Sequence, residues 1–190
     1  MQKIFTELPM PYLSIADAMQ YLKDSPYLET SPHRLKEDMY EFMFTAKPLL
    51  QPRGMIVSFP VVNNQIDFGD WKYSVLPGVL RYQKISFMVA ALSNQLESYI
   101  EDLAQKNTDQ AAMLDALAWE GLMVSSNSLF EAVLQESLDS NLQVTKSLPW
   151  LEDFIELSLE KISVSMNTKK LEITCNSPRY TFWGAVGWIL

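Results

Sequence analysis

The sequence predicts one layered domain of mixed α and β class spanning residues 1–190. Three observations predict it. Runs rich in β-branched and aromatic residues lie in the middle of the chain and at its end. Amphipathic runs with helical spacing precede and separate them. No repeat, low-complexity tract or linker divides the chain. Strands separated by several helices leave α/β and α+β arrangements both open.

Composition agrees. With 48% hydrophobic residues in 190, the chain can bury a core without disulfides or a metal, and its single cysteine allows no internal disulfide. Residues 1–12 hold neither a continuous apolar run nor a small-residue cleavage site, so no signal peptide is expected and the chain reads as cytoplasmic. The terminal apolar stretch Tyr180–Leu190 is too short, and too interrupted by glycine, to span a bilayer. Net charge is −8, and no basic run is present to neutralise a phosphate backbone, so a nucleic-acid partner is not expected.

The first helix starts at Ser14, whose hydroxyl can take the amide of Asp17 three residues on. Ile15, Ala18, Met19 and Leu22 line one face, and Ser25-Pro26 ends the run. A second helix starts at Ser31-Pro32 and carries Leu35, Met39, Phe42, Met43 and Ala46 as far as Lys47-Pro48. Met55–Val62 reads as a strand. Asn63-Asn64 is its turn, and Gln65–Phe68 with Trp71–Val75 is the return, broken at Gly69-Asp70. Pro77-Gly78 punctuates the chain before Lys84–Leu92, a nearly unbroken apolar run that predicts a strand covered on both faces.

Beyond Ser93 an amphipathic helix carries Leu96, Tyr99, Ile100 and Leu103. Asn107 and Gln110 then open another through Leu122. Ser128–Leu138 reads as a separate helix ended by Asp139-Ser140-Asn141, and Ser147–Lys161 as a further one. The end reads as β: Ile162–Met166, a turn near Asn167-Thr168, Leu171–Cys175, a break at Ser177-Pro178, then Tyr180–Leu190.

Few residues offer chemistry of their own. His33, the only histidine, sits in a first helical turn with no nucleophile or orienting acid indicated, and reads as a surface residue. Cys175 alternates with Leu171 and Ile173 and reads as a small core residue. One histidine and one cysteine cannot supply a structural zinc set. Glycine-rich phosphate loops, GxSxG and HExxH are absent, so no self-contained catalytic constellation is legible. Asp115 stands out because it lies in the most apolar helical segment. It must be hydrogen-bonded, paired or turned to solvent, and an exposed or capped acid is the simplest expectation. The aromatic run Tyr180–Trp188 belongs either to the core or to a partly exposed binding surface.

Taken in order, Gln51-Pro52-Arg53-Gly54-Met55, the Ile85–Glu97 strand-to-helix run, Leu114-Asp115-Ala116 and the terminal β segment Lys161–Leu190 resemble one family. It is the activation domain of cobalamin-dependent methionine synthase and its stand-alone bacterial relatives. The resemblance implies an α+β domain with a central, largely antiparallel sheet and several packing helices. It also implies an accessory, non-catalytic role linked to S-adenosylmethionine and corrinoid methyl transfer, with a corrinoid protein or methyltransferase as partner. Sulfonium binding by carboxylates and aromatics makes Asp115, Trp150 and Tyr180 the implied cofactor contacts. The sequence departs from the family where an arginine-containing Pro-Gly-Tyr loop belongs. That region reads Val144-Thr-Lys-Ser-Leu-Pro149-Trp150-Leu-Glu152, and the Leu-Asp-Ala helix lacks the usual Gly-Ser pair. The alternative is a protein-interaction or adaptor module that reuses the fold without cofactor binding.

Overall fold

A computed structural model describes residues 2–5, 8, 12–74, 82–145, 161–163, 165–166 and 179–189. The elements in chain order are β1 (Gln2–Phe5), α1 (Ile15–Leu22), a 3-10 turn (Pro32–Arg34), α2 (Lys36–Leu50), β2 (Arg53–Val62), β3 (Gln65–Asp67) and β4 (Lys72–Ser74). They continue with β5 (Tyr82–Ala91), α3 (Leu96–Ala104), α4 (Thr108–Asp139), β6 (Gln143–Thr145) and β7 (Thr181–Ile189). The strands form an antiparallel sheet in the order β4-β3-β2-β5-β7-β6. β1 shares the outer edge of β2 with β3, opposite residues 54–57, while β3 pairs at residues 61–62. The fold is therefore α+β, as the resemblance implies.

The sheet is buried on both faces, which explains the nearly unbroken apolar run in β5. Ile56, Met88, Ala90, Val186 and Trp188 face the helical layer of α1–α4. Met55, Phe59, Ile85, Phe87, Val89 and Ala91 face the other way, against Ile66, Phe68, Ile162 and Met166. Alternation by two along a strand puts these sets on opposite sides. On the second face Phe68 stacks on Trp71 with centroids 4.1 Å apart, and Trp71 Nε1 donates to Ser165 Oγ at 2.9 Å. At Gly54 the sheet and the helical layer nearly touch. A Cβ there would lie 2.8 Å from Leu8 Cδ1 and 2.9 Å from Leu129 Cδ2.

Local signals placed most boundaries. Ser14 Oγ accepts from Asp17 N at 3.2 Å, and Asn107 Oδ1 from Gln110 N at 3.0 Å, so both expected caps form. Asn63 and Asn64 take φ of 52° and 59°, the left-handed pair of a tight hairpin, and Gly69 takes 91°. The second helix begins differently. Ser31 makes no side-chain cap, a 3-10 turn precedes α2, and Pro48 is carried inside the last turns before Gln51 closes the helix at φ 42°.

Two sequence expectations need correction. The helix expected to stop near Leu122 and the one expected over Ser128–Leu138 are one 32-residue helix, α4. The serine-rich junction does not break it, because Ser125 Oγ and Ser128 Oγ bond back to the carbonyls of Gly121 and Val124 at 2.7 and 3.1 Å. Residues 161–163 and 165–166 are helical rather than a strand. Ile162 and Met166 are both fully buried, and a spacing of four satisfies helical and alternating patterns equally. The short edge strands β1 and β6 lacked a sequence signal because neither is long enough to show a period. The expected helix Ser147–Lys161, apart from Lys161 itself, and the expected strand Leu171–Cys175 lie outside the described residues.

One polar cluster is built into the helix-facing side. Trp188, fully buried, donates from Nε1 to Ser86 Oγ at 2.7 Å, and the Ser86 and Ser58 hydroxyls are 2.6 Å apart. Lys84 Nζ lies 3.6 Å from the Trp188 ring centroid and pairs with Glu136 at 2.9 Å. Ser86→Ala, which strands the indole N–H, is expected to cost about 1–3 kcal/mol in urea denaturation. Combined with Trp188→Phe it is expected to cost less than the sum of the two single changes.

Candidate functional site

The first half of α4 is buried nearly all round, since it packs against α1, α3 and β5 at once. Asp115 lies there with no exposure, so the expectation of an exposed or capped acid is overturned. A carboxylate in such a place must be satisfied by protein groups. Tyr180, 1% exposed, donates its hydroxyl to Asp115 Oδ1 through a short hydrogen bond. The Nη2 group of Arg179 lies 3.3 Å from Oδ1 and 3.4 Å from Oδ2.

Several elements hold this arrangement. The backbone carbonyl of Tyr180 accepts from Leu92 N at 3.1 Å, joining the start of β7 to the end of β5. The backbone N–H of Arg179 reaches Glu97 Oε2 on α3 at 3.4 Å. Trp119, one helical turn beyond Asp115, meets the Tyr180 ring edge-on at 5.6 Å and 68°. The Arg179 guanidinium lies 5.6 Å from the centre of the same ring.

Burial, the hydrogen bond to Asp115 and the charge of Asp115 together push the Tyr180 phenol well above the usual tyrosine range, and the positive Arg179 only partly opposes them. Burial raises the Tyr27 phenol as well, with Arg179 lowering it and Asp115 raising it, which places Tyr27 in the same electrostatic neighbourhood. The cluster thus holds a neutral phenol and a paired carboxylate. Its outward member is Arg179, with a side chain 29% exposed against 1% for Asp115. A guanidinium anchored on one side and open on the other can receive an anionic group.

Two of the three implied contacts, Asp115 and Tyr180, therefore come together across 65 residues of chain. Trp150 lies outside the described residues, as does Cys175. The terminal aromatic run is largely core: Tyr180 and Trp188 are buried, and Phe182 and Trp183 partly so. His33 is exposed in the 3-10 turn, as expected. Sequence reasoning missed Arg179. The available signal was electrostatic, because an acid in an apolar helix requires a partner and an arginine adjoins the candidate tyrosine.

Cavities on the helical layer open elsewhere. One of about 430 Å³ lies between α2 and the first turns of α4, one of about 380 Å³ between α1 and α2, and one of about 550 Å³ between α1 and the middle of α4. Among the described residues no group of three or more His, Cys, Asp or Glu could hold a metal ion. No helix among them is long and apolar enough to cross a membrane.

The architecture and the buried acid–phenol–guanidinium cluster define a class, an antiparallel α+β domain with α1–α4 layered on one face of the sheet and a short helical segment on the other. Among solved structures this fold is shared by the MetH reactivation domain bound to AdoHcy. The match covers 97% of this chain and 79% of that one, with a TM-score of 0.56 and 14% sequence identity. No family model and no curated protein sequence matches the chain.

The raised phenol predicts an alkaline limb in stability. Folding keeps Tyr180 protonated, so its contribution is complete below the unfolded tyrosine value of about 10 and declines as pH climbs above it. Urea midpoints measured between about pH 8 and about pH 11 should fall for the wild type and fall less for Tyr180→Phe.

Proposed function

We propose that residues 1–190 act as one accessory binding domain that takes S-adenosylmethionine or a close adenosyl relative. It would present that ligand to a corrinoid protein or methyltransferase, the chemistry belonging to the cofactors. The observation that carries this reading is the likeness, over 97% of the chain, to a domain solved with AdoHcy bound. The fold alone would be a weak argument, because unrelated functions share folds. The site adds a residue of suitable chemistry.

In this reading the roles of the implied contacts change. Asp115 and Tyr180 are buried and already engaged with each other, so they act from beneath, holding Arg179 in place. Arg179 then offers its open side to the carboxylate of the ligand's amino-acid moiety. Trp150 keeps its place as the aromatic candidate read from the sequence. A corrinoid would arrive on the partner.

A second reading, a protein-interaction module, draws on one observation. Tyr40 and Phe44, four residues apart on α2, are 52% and 76% exposed and lie on one helix face. In this reading α2, rather than the terminal strand, would carry the aromatic contact.

Calorimetric titration of the purified chain separates the readings. Saturable binding of S-adenosylmethionine is expected, weakened at least about tenfold by Arg179→Ala, which is a loss typical of a charge-assisted contact. Heat from neither S-adenosylmethionine nor cobalamin would overturn the cofactor reading. In that case a partner retained by the wild type and lost on Phe44→Ser would support the interaction module.

A further inference from the structure

The helix α2 divides into a buried face and an exposed one. Met39, Ala46 and Leu50 are fully buried in the helical layer, while Glu37, Tyr40, Glu41, Phe44 and Lys47 are exposed. One cavity lies on each flank. That of about 380 Å³ opens beside Lys36 and Tyr40, and that of about 430 Å³ beside Asp38, Glu41 and Thr45. The exposed face is therefore a ridge that another surface can reach.

The ridge carries the spacing along which helices pair. Glu37, Tyr40, Phe44 and Lys47 follow one another at intervals of three, four and three residues, the interval pattern of a helix–helix seam. They are also placed symmetrically about residue 42, with the two aromatic residues inside and the two opposite charges outside. A twofold interface has this property, because residue i meets residue j and j meets i. With two α2 helices antiparallel and centred at residue 42, Tyr40 of each copy lies level with the partner's Phe44. Glu37 of each then lies level with the partner's Lys47. A parallel pairing would instead set acid against acid and base against base, which repels.

Neither charge is used within the chain. Among the described residues Glu37 and Lys47 form no ion pair, and the residue one turn beyond Glu37 is another acid, Glu41. Like charges at that spacing disfavour the isolated helix, and a cation from outside relieves them.

We infer that the exposed face of α2 is a self-association surface, occupied by the antiparallel α2 of a second copy of this chain. A single helix of 15 residues gives a contact at the low end of specific interfaces, and a net charge of −8 on each copy opposes approach. The dimer is accordingly weak, with a dissociation constant of about 10–300 µM. The surface is separate from the Asp115 cluster and stands whether or not the chain binds an adenosyl ligand.

Sedimentation equilibrium of the intact chain, between about 5 µM and about 1 mM, tests this. A monomer–dimer equilibrium is expected, weakened at least about tenfold by Phe44→Ser at its exposed position. Glu37→Lys and Lys47→Glu each set like charges opposite one another and are each expected to weaken the dimer about three- to tenfold. The two changes together are expected to restore it to near its original strength. That recovery reads the antiparallel register itself, since a defect in folding would not be repaired by a second charge reversal. A chain monomeric to about 1 mM, a dimer indifferent to Phe44→Ser, or a double variant no stronger than the single ones would overturn the inference. Saturable S-adenosylmethionine binding by a chain that stays monomeric would sink this inference alone and leave the adenosyl reading standing.

Discussion

A carboxylate without solvent, in the first half of α4, is the constraint around which the helical side is organised. Burying Asp115 unpaired would be prohibitive, so the chain must deliver a donor and a positive charge to one point inside the layer. Tyr180 and Arg179 do this from the segment that leads into β7. Their backbones are held by Leu92 at the end of β5 and by Glu97 at the start of α3. One interaction therefore joins the helical layer, the central strand and the terminal strand. Removing a single member would leave another buried group unsatisfied, so the cluster is expected to behave as a unit.

The sheet meets a second demand. With β5 and β7 covered on both faces, each strand residue is committed to one of two cores, and a slip of one residue would exchange them. Polar atoms are admitted only where they are paired. Ser86 receives the Trp188 indole and contacts Ser58, and Lys84 spans the Trp188 ring and Glu136. These pairings make the register of the central strands specific as well as apolar. The helical residues 161–163 and 165–166 close the second core by seating Ile162 and Met166 against the aromatic group of Phe59, Phe68 and Phe87.

A fold shared at 14% identity with the MetH reactivation domain shows how little of the sequence the architecture needs. What the architecture needs is a pattern: alternation on β2, β5 and β7, and broad apolar faces on α1 and α4. Function is more demanding, since it rests on where a few polar groups meet. The Asp115 cluster directs one guanidinium outward, and the cavity between α1 and the middle of α4, lined by Glu120, presents negative charge and aromatic rings. Both features use α4, whose length lets it serve as core for the sheet and as wall for two chemically different surfaces.

By itself the sequence determined the class of the fold and most of its elements. Period, caps and turn residues act over a few positions, as at Ser14, Asn107 and Asn63-Asn64. It also singled out Asp115 and Tyr180, the first as a polar residue where apolar ones belong, the second through the family resemblance. Tertiary structure alone decided the rest. The continuity of α4 through its serines depends on back-bonding that propensity does not reveal. The buried Ile162 and Met166, in helical residues, have a spacing that strands share. Arg179 became significant only when folding brought Asp115 to it, because burial and charge pairing are properties of distance in space rather than along the chain.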